Sequence, residues 1–270
     1  MIDKAHIYGI LCNVFWSDEA GDAERAFYMN TIKINSNGVK MIAHRGLSGI
    51  ERENTCPAFI AAGNRSYFGV EADVHVTKDG KFVIIHDETT ERISSGEYNV
   101  NVEESDYLDI EKIVLPDLDN TTDRKDIRIP LLMEYIKICK KYEKICVLEI
   151  KNHFEEKNIE KLIDQIKELE YIDKVIFISF DFENCVNVRK FLPENDVQFL
   201  TLDKITSELI EKLCENSLDL DIYYEQLNAE NIEILHSKGI KVNCWTCDDK
   251  DAAEKLISYG VDFITSNILE

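Results

Sequence analysis

The chain has 270 residues, 44% of them hydrophobic, and carries 31 lysines and arginines against 52 aspartates and glutamates, for a net charge of −21. That length supports a sizeable core, as one α/β barrel or two small domains. The acidic balance argues against non-specific nucleic-acid binding and docking on anionic lipid, and fits a cytoplasmic protein acting on small molecules.

Residues 1–38 carry an apolar run at 7–16, too short for the roughly 20 residues of a spanning helix and without the basic flank of a signal peptide. They are expected to form a helical extension packed on the main body or on a second copy of the chain, the latter a route to a homo-oligomer. Residues 35–38 read as the turn before the first strand.

Residues 39–43 are an apolar run that stops at His44-Arg45-Gly46. Thr55 is placed to cap a short helix with Pro57 in its first turn, continuing through Phe59, Ala62 and Tyr67. An alternating run follows from Gly69 to His75, and a further apolar run, 82–85, stops at His86-Asp87. Such runs, bounded by glycine and polar clusters, read as buried strands. Side chains two apart share a strand face, so Glu71, Asp73 and His75 point one way, with His75 further out. Asp79-Gly80 predicts a two-residue type I′ turn, which sets Lys78 opposite Lys81 and Asp73 opposite His86. Two carboxylates on one buried face are costly unless a cation or hydrogen bonds offset them.

Periodicity is lost from Glu88 to Arg128, and residues 88–130 read as a lobe inserted after the hairpin, because a structureless loop of that length is unusual in a compact domain. From Pro130, helices at 131–142, 155–169, 182–191, 207–215, 230–238 and 249–259 alternate with strands at 145–150, 175–179, 197–201, 218–223, 240–245 and 261–265. With 39–43 and 69–74 the strands number eight, and 82–85 is a hairpin partner. The expected fold is a single (β/α)8 TIM barrel over residues 39–270. Most of the eight cysteines lie in apolar runs and read as reduced, packed thiols, Cys244 and Cys247 included. No G-x-G-x-x-G and no P-loop occurs.

A barrel active site lies at the carboxyl ends of the strands. The side chains expected there are His44, Arg45, Glu71, Asp73, Glu149, Lys151 and Trp245. In order and spacing, His44-Arg45-Gly46, Glu53-Asn54-Thr55, Ala58-Phe59, Glu71-x-Asp73-Val74, Thr77-x-Asp79-Gly80 and His86-Asp87 resemble the signature of the glycerophosphodiester phosphodiesterase family. Arg52 stands where that family usually has proline, and Ser66-Tyr67-Phe68 where it has a Gly-Ala-Asp-like approach; both mark a divergent member.

The resemblance implies that Glu71, Asp73 and Glu149 hold one divalent cation, Mg²⁺ or Ca²⁺, and that Arg45 and Lys151 meet the phosphate; Trp245 reads equally as a core aromatic or as a side chain that packs on substrate. The resemblance implies further that His44 and His86 exchange protons, that the inserted lobe shapes the mouth, and that a glycerophosphodiester is hydrolysed to glycerol 3-phosphate and an alcohol. The chemistry is coherent: carboxylates are hard oxygen donors, and imidazole exchanges protons near neutral pH. Water and the glycerol 2-hydroxyl stay open as the attacking group. A related phospholipase-type lyase acting on a lipid head group, and a non-catalytic phosphodiester-binding protein, are the alternatives.

Overall fold

The apolar runs fold into strands β1 (Lys40–Ala43), β2 (Gly69–Val76), β3 (Phe82–Ile84), β4 (Ile145–Ile150), β5 (Val175–Ser179), β6 (Val197–Thr201), β7 (Asp219–Tyr223), β8 (Val242–Trp245) and β9 (Phe263–Ser266). This is a computed structural model that describes residues 30–270, so the helix expected at 7–16 lies outside the described residues. Eight strands pair in parallel in the order β1-β2-β4-β5-β6-β7-β8-β9, and the pairing of β9 with β1 closes the ring. β3 lies antiparallel on β2, outside the ring. The fold is the expected (β/α)8 TIM barrel.

Helices α1 (Cys56–Gly63), α2 (Tyr107–Ile110), α3 (Leu132–Lys141), α4 (Glu156–Glu168), α5 (Phe182–Phe191), α6 (Ser207–Asn216), α7 (Ala229–Ser237) and α8 (Lys250–Tyr259) complete the order. Thr55, Asp181, Thr206, Asn228 and Asp249 cap five of them, each accepting an otherwise orphaned amide and contributing about 1 kcal/mol. On α4 the buried stripe is Ile159, Leu162, Ile163 and Ile166, the 3.6-residue spacing that lays one face on the barrel. α1 stops at Gly63, so Tyr67 is buried from a loop and not from a helical face. No helix among the described residues is long and apolar enough to cross a membrane.

The hairpin departs from the expected register by one residue. Val76 faces Phe82 and Val74 faces Ile84, so Asp73 lies opposite Ile85, whose N–H donates to the Asp73 carbonyl at 3.0 Å, and not opposite His86. The loop has three residues, Lys78-Asp79-Gly80, because only Gly80 takes positive φ, at 76°. Asp79 Oδ1 instead accepts from Thr77 Oγ1 at 2.6 Å and from the Tyr107 N–H at 3.0 Å, which holds a turn that a glycine bulge then closes.

The connection between β3 and α3 gathers its own apolar cluster: Val83, Ile85, Ile93, Val102, Ile110, Ile113, Leu115, Ile127 and Ile129. Apart from Val83 of β3, these residues come from irregular backbone and the single turn of α2, which is why no period betrays them.

Candidate active site

Strand pairing assembles the acidic centre. Glu71 and Asp73 share a face of β2, and the register sets Asp73 beside Glu149 of β4. The three carboxylates are buried, with oxygens within 4.8 Å of one another. Glu71 Oε1 and Asp73 Oδ1 have no hydrogen-bond partner. Burial, then Asp73 and Glu149, push Glu71 well above the usual carboxylate range, and burial pushes Glu149 to about 7 against the pull of Lys151. Burial acts on Asp73 too, but Lys151, His86 and Arg45 outweigh it and hold Asp73 well below its ordinary value. Crowded, orphaned, hard oxygens of this kind fit a divalent cation.

The β1–α1 loop brings the first cationic group. Arg45 and Gly46 both take positive φ, at 53° and 75°, turning the backbone so that the Arg45 N–H donates to Glu71 Oε2 at 2.7 Å. Arg45 Nη1 donates to Glu53 Oε1 at 2.9 Å, and its Nε lies 3.4 Å from Asp73 Oδ2. From the other side Lys151 Nζ donates to Glu149 Oε1 at 2.7 Å and sits 3.5 Å from Asp73 Oδ1. Asn54, also at positive φ, clamps Asp73: its Nδ2 donates to Oδ2 at 2.7 Å and its Oδ1 accepts the Asp73 N–H at 3.3 Å.

Gly46 is irreplaceable on steric grounds, since a Cβ there would lie 2.7 Å from the Ala58 backbone carbon. Gly80 has the same φ sign with open space around it. Gly46→Ala is therefore expected to destabilise by about 1–3 kcal/mol more than Gly80→Ala, and to depress turnover by moving Arg45. Thermal melts of the two variants compare them directly, and equal losses would refute the steric argument.

Both candidate histidines are anchored through Nδ1. His44 Nδ1 lies 2.8 Å from Asn267 Oδ1, and the Asn267 Nδ2 donates to Asp248 Oδ2 at 2.6 Å. The amide oxygen therefore faces His44, so the ring proton is on Nδ1 and the Nε2 lone pair points inward, 4.0 Å from Glu71 Oε2. His86 Nδ1 lies 2.6 Å from Asp87 Oδ1. Burial first, and then Arg45, push both rings down to about 4. Trp245 is half-buried at the end of β8, edge-on to Phe180 at 5.5 Å and 6.2 Å from Tyr223, with its Nε1 unpartnered.

Other residues sit apart from this constellation or were not foreseen. His75 stands two residues beyond Asp73 on β2, opposite Val83 of β3, and is buried, with Nδ1 2.9 Å from Glu103 Oε1 and Nε2 3.2 Å from the His86 carbonyl. Cys244 and Cys247 are buried free thiols, their sulfurs 3.6 Å from the carbonyls of Phe263 and Asp249. Ser66 donates through N and Oγ to Glu270 at the amino end of β2, away from the carboxyl ends, so the changes at 66–68 do not touch the site. Arg52 Nη2 reaches the Ile93 carbonyl at 2.6 Å. Glu53, Asn54 and Asp87 stood inside the recognised motif without roles; Arg92 and Asn267 stood outside it and had no periodic signal.

The sequence profile of the "Glycerophosphoryl diester phosphodiesterase family" matches residues 44–269. A glycerophosphodiester phosphodiesterase of Caldanaerobacter subterraneus is 32% identical over 231 residues, covering 84% of this chain and 93% of that one. A solved phosphodiesterase of Oleispira antarctica, in complex with the product sn-glycerol-3-phosphate, has a TM-score of 0.75 at 25% identity and covers 88% and 96% of the two chains. A solved glycerophosphodiester phosphodiesterase of Thermotoga maritima has a TM-score of 0.69 at 25% identity, over 85% of this chain and 94% of that one. A barrel with buried carboxylates, flanking cations and two imidazoles held through Nδ1 thus comes with kinship along nearly its whole length, and the chain belongs to the glycerophosphodiester phosphodiesterase family of phosphoric diester hydrolases.

Proposed function

We propose that the protein hydrolyses glycerophosphodiesters to glycerol 3-phosphate and an alcohol, using one divalent cation, Mg²⁺ or Ca²⁺, at Glu71, Asp73 and Glu149. The observation that carries this reading is the pair of buried, unpartnered carboxylate oxygens on Glu71 and Asp73, flanked by Arg45 and Lys151. When bound, the cation supplies positive charge for the phosphate oxygens. Arg45 and Lys151 add two guanidinium or ammonium donors for the equatorial oxygens, and correct locally the repulsion that a net charge of −21 imposes on an anionic substrate. His44 accepts a proton at Nε2 from the attacking hydroxyl, and His86 gives one to the leaving alcohol. Trp245 offers an apolar edge to the substrate. The bound glycerol phosphate of the Oleispira relative supports the substrate class. The acidic charge and the free thiols support a cytoplasmic location.

The test is release of glycerol 3-phosphate from a panel of glycerophosphodiesters with Mg²⁺, Ca²⁺ or EDTA. Release is expected with metal and not with EDTA. A cyclic phosphate as the end product, seen by phosphorus NMR, would assign a lyase in its place.

A further inference from the structure

Arg92 lies in the connection between β3 and α3, outside every motif, yet it uses both edges of its guanidinium on the site. Nε and Nη2 donate to Asp87 Oδ2 and Oδ1 at 2.6 and 3.2 Å; Nη1 and Nη2 donate to Glu53 Oε2 and Oε1 at 3.0 and 2.8 Å. Each carboxylate also holds a residue of the proposed chemistry. Glu53 Oε1 accepts from Arg45 Nη1 at 2.9 Å, and Asp87 Oδ1 faces His86 Nδ1 at 2.6 Å. The result is a chain of alternating charge, Arg45–Glu53–Arg92–Asp87–His86, that joins the phosphate-facing loop after β1 to the imidazole after β3.

Neighbouring contacts fix the same junction. Three consecutive residues of the β1–α1 loop grip the connection: Glu51 accepts from Arg124 Nη1 at 2.7 Å, Arg52 donates to the Ile93 carbonyl at 2.6 Å, and Glu53 holds Arg92. The connection is therefore docked on the loop that carries His44 and Arg45.

We infer that Arg92 is a positioning residue: through Glu53 and Asp87 it sets Arg45 and His86 at one mutual geometry, and so makes turnover depend on docking of the β3–α3 connection. This rests on the hydrolase reading above. Without Arg92, Glu53 loses two donors and holds Arg45 as its sole partner cation in that chain, competing with the phosphate. Asp87 likewise loses its fixed edge, and the His86 ring with it. A lysine offers a point charge that cannot bridge two carboxylates bidentately.

The experiment compares wild type, Arg92→Ala and Arg92→Lys by kcat and KM on a glycerophosphodiester, and by the imidazole ¹⁵N–¹H correlation of His86. Arg92→Ala is expected to lower kcat by about 10²-fold with a smaller change in KM, because the misplacement acts on the reacting geometry. Arg92→Lys is expected to recover little of it, and the His86 signal to change from a single Nδ1–H tautomer to a mixture in both variants. A kcat within about threefold of wild type in Arg92→Ala, full recovery in Arg92→Lys, or an unchanged His86 signal would each overturn the inference. Absence of any release by wild type would instead refute the hydrolase reading, and the His86 tautomer would still decide the clamp.

Discussion

His86→Ala is expected to lower kcat by about 10²–10⁴-fold on a glycerophosphodiester with an ordinary alcohol as leaving group, and far less on a p-nitrophenyl ester of glycerol phosphate. The two histidines differ in what stands behind them. His86 has the Asp87 carboxylate on Nδ1, and Arg92 keeps that carboxylate ionised and in place. A carboxylate behind the ring favours imidazolium, the form that can protonate an alkoxide. His44 has only the neutral amide of Asn267, with its Nε2 lone pair turned inward, which suits a base. Burial and Arg45 push both rings down to about 4, so in the proposed acid role His86 would gain its proton once the anionic phosphodiester adds negative charge beside it. p-Nitrophenolate leaves without a proton, so the loss at His86 should shrink there, whereas His44→Ala should lose as much on either ester. Steady-state kinetics of both variants on both substrates measure this. Equal losses on the two esters for His86→Ala would remove His86 from the acid role.

What could be read from the residues, and what could not, follows from the range of the interactions. Parallel barrel strands are buried on both faces and stand out as short apolar runs between turns, so 145–150, 175–179 and 197–201 coincide with β4, β5 and β6. The shared face of Glu71 and Asp73 was legible because a two-residue spacing is a local rule, whereas Glu149, paired with Asp73 from 76 positions away, joined them through the family resemblance. The hairpin register was not, because Asp-Gly serves both two-residue and three-residue loops, and Asp79 here accepts from Thr77 and from the Tyr107 N–H, 28 positions away. The one-residue shift in register moved Asp73 from His86 to Ile85. Arg92 and Asn267 were silent for the same reason: their value comes from partners across the fold, Glu53 at 39 positions and His44 at 223. Such contacts leave no mark on neighbouring residues.

Glu71→Gln and Asp73→Asn remove the same charge from one face of β2, yet they are expected to move stability in opposite directions. Burial, Asp73 and Glu149 raise Glu71 well above its ordinary value. A carboxyl raised in the folded state contributes stability that is fully present below its unfolded pKa and drains away as the pH climbs through the folded one. Glu149 has the same sign over the window from 4.5 to about 7. Glutamine at 71 cannot ionise and still presents an oxygen to the Arg45 N–H, so the metal-free variant should match wild type in acid and exceed it increasingly toward about pH 8. Asp73 has the reverse sign: Lys151, His86 and Arg45 outweigh its burial and hold it well below 3.8, so its stability is present above the unfolded pKa and is lost as the pH falls through the folded one. Asparagine forfeits that stability at neutral pH and leaves Lys151 and Arg45 buried with one carboxylate fewer, at a cost of about 3–5 kcal/mol. Both variants should lose metal-dependent turnover by several kcal/mol of barrier, since each removes a carboxylate of the proposed cation site. Cation binding requires deprotonated carboxylates, so the rise in melting temperature on adding Mg²⁺ or Ca²⁺ should grow from about pH 6 to about pH 8 in wild type and vanish in both variants. Melts in EDTA and in each cation across that range test all three signs together. A Glu71→Gln protein that melts as low in EDTA as Asp73→Asn would show that the three carboxylates do not form a strained, cation-ready cluster.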